Sequence, residues 1–240
     1  VSTDDWTFEA LTLAAIDAHS VGETEVSWQL WLQCERLAQS FAGDDPRRAT
    51  AMSNAALAHY GGGNLDRATE LWHGALKAWE ASAAFVERMD ISVAAHSSTF
   101  HLRMEQRHRE SYATYKRQRL SELLAGAKAI TMCNLALAYF ARDADTPADG
   151  LLARAVEERC AGFGHSDPHL QIMLGLLAGR QDMLGQSAAA DATALEARRI
   201  ASEPARSALE LWGAERPRGM NDLRRVLAAA YLTVMAEPDW

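Results

Sequence analysis

The 240-residue chain is short of cysteine, proline, glycine and long apolar runs, and each shortage excludes something. Three cysteines, Cys34, Cys133 and Cys160, are too few and too scattered for a disulfide framework, and no Cys-x-x-Cys pair suggests a zinc ribbon or a redox motif. A reducing, cytoplasmic setting is the expectation. Fifteen glycines and six prolines rule out collagen-like and linker-rich readings. The longest apolar runs are Ala129–Ala141, broken by Thr131 and Asn134, and Val226–Ala236, broken by Thr233. Both fall below the roughly 18–20 residues that cross a bilayer, so no membrane span is expected. The acidic opening, Val1 to Asp5, does not read as a secretory signal. Alternating polar and apolar runs bounded by turn residues are absent, so no strands are expected. No phosphate loop, Gly-x-Ser-x-Gly elbow, dinucleotide fingerprint or His-Glu-x-x-His pattern occurs.

Apolar residues make up 48% of the chain, enough for a packed core. The net charge of −8 is spread unevenly. Residues 1–100 hold 6 Lys/Arg against 14 Asp/Glu, residues 101–128 hold 7 against 3, and residues 129–240 hold 11 against 15. That balance argues against nucleic acid as a partner, because such binding rests on neutralising phosphates. The one basic stretch, Arg103 to Arg119, reads as a solvated helix face or as a docking face for an acidic partner.

The punctuation is helical. Asp45-Pro46, Thr146-Pro147, Asp167-Pro168 and Ser202-Glu203-Pro204 place a capping side chain at or near the residue before proline, which suits a helix start. No proline lies between Pro46 and Pro147. Helices are expected over 5–20, 23–42, 46–60, 64–86, 89–105, 109–126, 128–141, 147–161, 168–182, 187–200, 203–213 and 220–236. The last rests on a stripe of Leu223, Val226, Leu227, Ala230, Tyr231 and Val234.

A period near 41 residues runs through the chain. Ser53-Asn54-Ala55-Ala56-Leu57-Ala58-His59-Tyr60 matches Cys133-Asn134-Leu135-Ala136-Leu137-Ala138-Tyr139-Phe140, 80 residues on. Gly63, Ala68, Trp72 and Ala75 then face Asp143, Ala148, Leu152 and Ala155. Another copy continues at Leu177-Ala178 with Gly185, Ala190, Ala194 and Ala197; an earlier one holds Ala14-Ala15, Gly22, Ser27, Trp31 and Cys34. A degenerate copy is expected between the clear ones, near 90–126. Small residues at fixed places let antiparallel helices approach closely, and a large residue such as Trp31 or Trp72 fills the gap to the next pair. Such pairs bury their faces only by stacking on one another.

These motifs resemble the tetratricopeptide repeat family, in its longer, kinesin-light-chain-like variety. Asn134-Leu135-Ala136-Leu137-Ala138-Tyr139 is similar to that variety's Asn-Leu-Ala-x-x-Tyr helix, and Asn54 to His59 carries His in the Tyr place. Gly162 to Pro168 looks like a permuted form of its Gly-x-x-His-Pro-Asp loop. The resemblance covers about residues 10–200. It implies an all-α, right-handed α-solenoid of about five antiparallel helix pairs over 1–201, with capping helices over 202–240. It also implies a noncatalytic protein–protein interaction module whose concave groove holds a peptide segment or a partner helix.

Superposing the family's groove positions picks Ile16, His19, Ser53, Leu57, Tyr60, Thr99, Leu102, Arg103, Ile130, Cys133, Leu137 and Phe140. Of these, Leu57, Tyr60, Leu102, Arg103, Leu137 and Phe140, together with Asn54 and Asn134, are the candidate contacts for a protein or peptide partner. An inner-helix asparagine can pair with both N–H and C=O of an extended peptide, or can fix neighbouring helices within the array. The family's carboxylate clamp needs converging cations, and only Arg103 is on hand. No cofactor and no metal is expected: of the eight histidines, His59 and His101 occupy the packing-tyrosine position, and His96 and His101 do not share a helix face. Gly61-Gly62-Gly63 reads as a turn between helices. Three alternatives stay open: a sensor of a signalling peptide, an enzyme or enzyme subunit built on a helical-repeat fold, and a homo-oligomer; nothing near Cys133 or Cys160 in sequence supports a nucleophile there.

Overall fold

A computed structural model describes residues 3–88, 102–163, 167–202 and 232–236, without the side chains at 102–113, 115, 116 and 119. Among the described residues there are eight α-helices and no strand: α1 (Thr3–Ser20), α2 (Thr24–Ala38), α3 (Pro46–Gly61), α4 (Leu65–Arg88), α5 (Leu102–Phe140), α6 (Asp145–Phe163), α7 (Pro168–Met183) and α8 (Ser187–Ser202). Each helix packs on the next in sequence, and α3 also reaches α5. The result is an α-solenoid, in which every helix pair finds its core against its neighbours.

The 41-residue register is visible in the turns. Gly22, Gly63, Asp143 and Gly185 take positive φ, at 79°, 77°, 55° and 73°. At each, the next residue's N–H reaches back five residues: Glu23 to Ala18, Asn64 to His59, Ala144 to Tyr139 and Gln186 to Gln181, at 2.8–2.9 Å. This is a left-handed helix stop that satisfies the terminal carbonyls, and it sends the following helix back antiparallel. Asp143 stands in the place of a glycine and accepts the same geometry.

Burial follows the same register. The small residues Ala15, Ala56, Ala136 and Ala178 are buried on the first helices; Ser27, Ala68, Ala148 and Ala190 are buried on the second. Their size permits the close approach, and Ser27 Oγ donates to the carbonyl of Ala15 at 2.8 Å to fix it. One turn further along, Trp31, Trp72 and Leu152 are fully enclosed fillers. The Trp72 indole N–H donates to the Ser53 carbonyl at 3.0 Å, so its one polar atom is satisfied. Two of the proline starts hold as capped starts: Asp45 accepts the Arg47 N–H before Pro46, and Asp167 accepts the Leu170 N–H before Pro168.

The structure corrects the sequence reading in three places. The separate helices expected over 109–126 and 128–141 are one helix, α5, of 39 residues. From Leu102 to Ala125 there is neither glycine nor proline, and Arg, Glu, Gln, Lys and Leu abound, so local propensity carries the helix through the boundary that the repeat period suggested. Its middle portion packs Leu120, Leu123, Leu124 and Ala127 against Trp79 and Val86 of a lengthened α4. Gly126 does not break it; the missing side chain leaves room for the Phe163 ring and the Arg159 guanidinium.

The second correction concerns length: Leu120–Phe140 is long and apolar enough to cross a membrane. Here, though, 78% of its most apolar window is buried inside the protein, as the central helix of the core. Third, residues 232–236, expected to end a helix over 220–236, are a turn residue followed by irregular, non-helical chain. The rest of the expected capping helices, with Trp212 and Trp240, and residues 89–101 of the degenerate pair's first helix, with Thr99 and His101, lie outside the described residues; residues 102–105 of that helix belong to α5.

Candidate functional site

Asn54 and Asn134 occupy equivalent positions on α3 and α5, neighbouring first helices of the array. Both are fully buried, an expensive place for a primary amide unless all its polar atoms are bonded. Segment 232–236 bonds them. Asn54 Nδ2 donates to the Leu232 carbonyl at 2.7 Å, and the Val234 N–H donates to Asn54 Oδ1 at 2.9 Å. Asn134 repeats the pattern two residues on: Nδ2 donates to the Val234 carbonyl at 3.0 Å, and Oδ1 accepts the Ala236 N–H at 2.8 Å. Val234 is therefore held through its N–H by one helix and through its carbonyl by the next.

The step between the two grips explains why a non-helical chain fits. Two residues of extended chain advance by about 6.6–6.8 Å, while packed helices sit about 8–10 Å apart. Two residues of helix would advance by only about 3 Å, so it is a drawn-out, non-helical chain that meets one asparagine per two residues.

Side chains of the segment complete the packing. Leu232 joins an apolar cluster with Phe8, Ala15, Trp31 and Ala51, contributed by α1, α2 and α3. Ala236 belongs to the large central cluster with Leu57, Leu137, Met173 and Leu176, and Val234 and Met235 pack against it. The segment runs from the α1–α3 side toward the α5–α7 side. Thr233 is buried as well, yet among the described residues its hydroxyl has no hydrogen-bond partner.

The sequence-derived contacts sort as follows. Asn54 and Asn134 grip the segment directly. Leu57, Tyr60, Leu137 and Phe140 share its apolar cluster. The Tyr60 ring lies against Trp72, with centroids 5.7 Å apart, and the Arg180 guanidinium sits 5.1 Å from the centre of the Phe140 ring. The side chains of Leu102 and Arg103 lie outside the described residues, as does most of the basic stretch up to Arg119. Among the wider groove positions, Ser53 is fully buried and shares a 3.1 Å hydrogen bond with Thr131, which also accepts the Trp79 indole N–H at 3.1 Å. Ser53 is therefore part of the helix-to-helix core. What the sequence reading missed is Leu232 to Ala236 itself. Its signal was the β-branched pair Thr233-Val234 shortly before Pro238.

Burial pushes the thiols of Cys34 and Cys133 up to about 12, so neither is a thiolate at neutral pH. Among the described residues no three His, Cys, Asp or Glu side chains come together as a metal set. His59 is lowered from its ordinary value by burial and by Arg67. His73 instead shares a 2.7 Å hydrogen bond with the Tyr139 hydroxyl, tying α4 to α5.

Compared with known protein families, residues 48–82 match the family model described as the tetratricopeptide repeat. The match covers most of α3, its left-handed turn at Gly63 and most of α4. Compared with curated proteins, the chain has no match. Repeats of this family serve protein–protein interaction in general.

Proposed function

We propose, with the tetratricopeptide repeat at 48–82 as premise, that this chain is a noncatalytic interaction module that holds an extended peptide segment of a protein partner across α3 and α5. The observation that carries this reading is the pair of asparagine grips. Each amide presents one donor and one acceptor at the spacing of alternate residues in an extended chain, and together they complement five residues of main chain whatever the side chains. Apolar residues around the grips, Leu57, Tyr60, Leu137 and Phe140, supply pockets that select among sequences.

Four hydrogen bonds, each of net worth about 0.5–1.5 kcal/mol, amount to a large share of the affinity of a short peptide. The test is selection from a displayed library of random peptides, with the wild-type chain and the Asn54→Ala/Asn134→Ala variant compared at matched helicity by circular dichroism. Enriched peptides are expected to bind the wild type at least tenfold more tightly. Equal affinity for both proteins would remove the asparagines, and with them this reading.

A further inference from the structure

The face that the asparagines line is occupied by the chain itself. We propose that residues 232–236 are a resident competitor for this groove. Its partner is then an extended segment of another protein carrying an apolar β-branched residue where this chain carries Thr233. This inference rests on the peptide-binding reading above and adds two things to it, the state of the groove and the pattern of its partner.

Three observations support it. First, everything the asparagines hold is main chain: the carbonyls of Leu232 and Val234 and the N–H groups of Val234 and Ala236. Any extended backbone offers the same four groups, so a partner segment can take over each bond without loss. Second, residues 232–236 are themselves irregular, non-helical chain, unlike the capped helices that build the fold. Third, its fit has a fault. Thr233 is 4% exposed, and its hydroxyl is left without a hydrogen-bond partner among the described residues. A hydroxyl buried in this way weakens docking, whereas a methyl group in its place keeps the shape and removes the penalty. A competitor that binds below the best available affinity can be displaced, and a partner with Val or Ile at that point has the advantage.

The test uses the full chain and two labelled peptides, acetyl-Leu-Thr-Val-Met-Ala-amide and its counterpart with Val in the Thr position. In V234P/A236P the chain loses both N–H groups that the asparagines accept, while Asn54 and Asn134 stay intact for a peptide added in trans. Deuterium uptake at Thr233 and Met235 reports release of the segment. The expected result is faster uptake in V234P/A236P and peptide binding about tenfold tighter or more than in the wild type, because the competent fraction of the groove has risen. In the opposite direction, T233V strengthens the resident segment, and the wild-type peptide should then bind about tenfold more weakly than it does to the unaltered chain. On V234P/A236P the Val peptide should bind about tenfold more tightly than the Thr peptide.

Equal peptide affinity for the wild type, T233V and V234P/A236P would overturn the competitor and leave the groove's function standing. Release of the segment with no binding of either peptide would overturn both readings. Loss of helical structure in V234P/A236P would show that 232–236 is a permanent part of the fold, which also overturns the competitor.

Discussion

The junction of α6 and α7 gives the sharpest prediction about stability. Arg159 and Asp167 are 5% and 3% exposed. The guanidinium meets the carboxylate through two nitrogens, Nε to Oδ2 and, at 2.9 Å, Nη2 to Oδ1. It also sits 4.0 Å from the centre of the Phe163 ring. Asp167 meanwhile caps α7 by accepting the Leu170 N–H at 3.0 Å. Burial works against the Asp167 charge, but the hydrogen bonds from Arg159 and its positive charge outweigh it and hold the carboxyl well below its usual range. Replacing Arg159 with Met keeps the apolar stem and strands the anion. Removing one partner of a buried pair costs about 3–5 kcal/mol, a large part of the roughly 5–15 kcal/mol that a domain has in hand.

The pH dependence follows from the sign of the shift. A depressed carboxyl contributes stability that is complete above the unfolded value, near 3.9. That contribution is lost as pH falls through the lower folded value. With the guanidinium gone, burial becomes the larger influence on Asp167 and its value moves up. The deficit of Arg159→Met should therefore be full at pH 7, should begin to narrow as pH falls through the variant's raised Asp167 value, and should go on narrowing below about 4. Urea unfolding followed by circular dichroism, at pH 7 and at steps down to pH 3, measures both. The double variant Arg159→Met/Asp167→Asn keeps a capping side chain without a stranded charge and should recover much of the loss. A deficit below about 1 kcal/mol at pH 7, or a double variant no more stable than the single one, would refute the account of this pair.

Three further outcomes are expected. Trp72→Phe leaves the Ser53 carbonyl without its donor and opens space between two helix pairs; urea unfolding should show a loss of about 2–4 kcal/mol, and a change under 1 kcal/mol would discount Trp72 as the filler between pairs. Gly126→Ala places a methyl group where the Phe163 ring and Arg159 lie; it should destabilise by about 1–3 kcal/mol despite the better helix propensity of alanine, and a stabilised variant would show that α5 and α6 have room to spare. Cys34 and Cys133, with thiols pushed up to about 12, should react with a thiol-directed alkylating agent at pH 8 about 10³-fold more slowly in the native chain than in urea; mass spectrometry reads this, and comparable rates would contradict their burial.

The turns and small residues were legible in the sequence because they answer to local rules. A left-handed residue after a helix calls for glycine, and three of the four such sites have one; the fourth, Asp143, was placed only by register against Gly63. Ala15, Ala56, Ala136 and Ala178 could be aligned because a close helix contact tolerates little else. The length of α5 was not legible from the period, since the period assumed a break where propensity offers none. Segment 232–236 misled for a different reason. Leu227, Ala230, Tyr231 and Val234 fit a helical stripe, and a short apolar run does not distinguish a helix from an extended segment by spacing alone. The deciding partners, Asn54 and Asn134, lie 178 to 180 and 100 to 102 residues away in the chain.

Those two asparagines also explain why the face is occupied. Neither amide is bonded by its own helix pair; both are bonded by segment 232–236. Without the segment, two donors and two acceptors must be met by water, beside the apolar cluster that holds Leu57 and Leu137. A face with that composition favours any extended backbone over solvent, and the nearest one at high effective concentration is the chain's own. Main-chain bonding is indifferent to sequence, so on the reading proposed above the choice between the resident segment and a partner falls to the side chains between the grips. Thr233, whose buried hydroxyl has no hydrogen-bond partner among the described residues, is the residue on which that proposed choice turns.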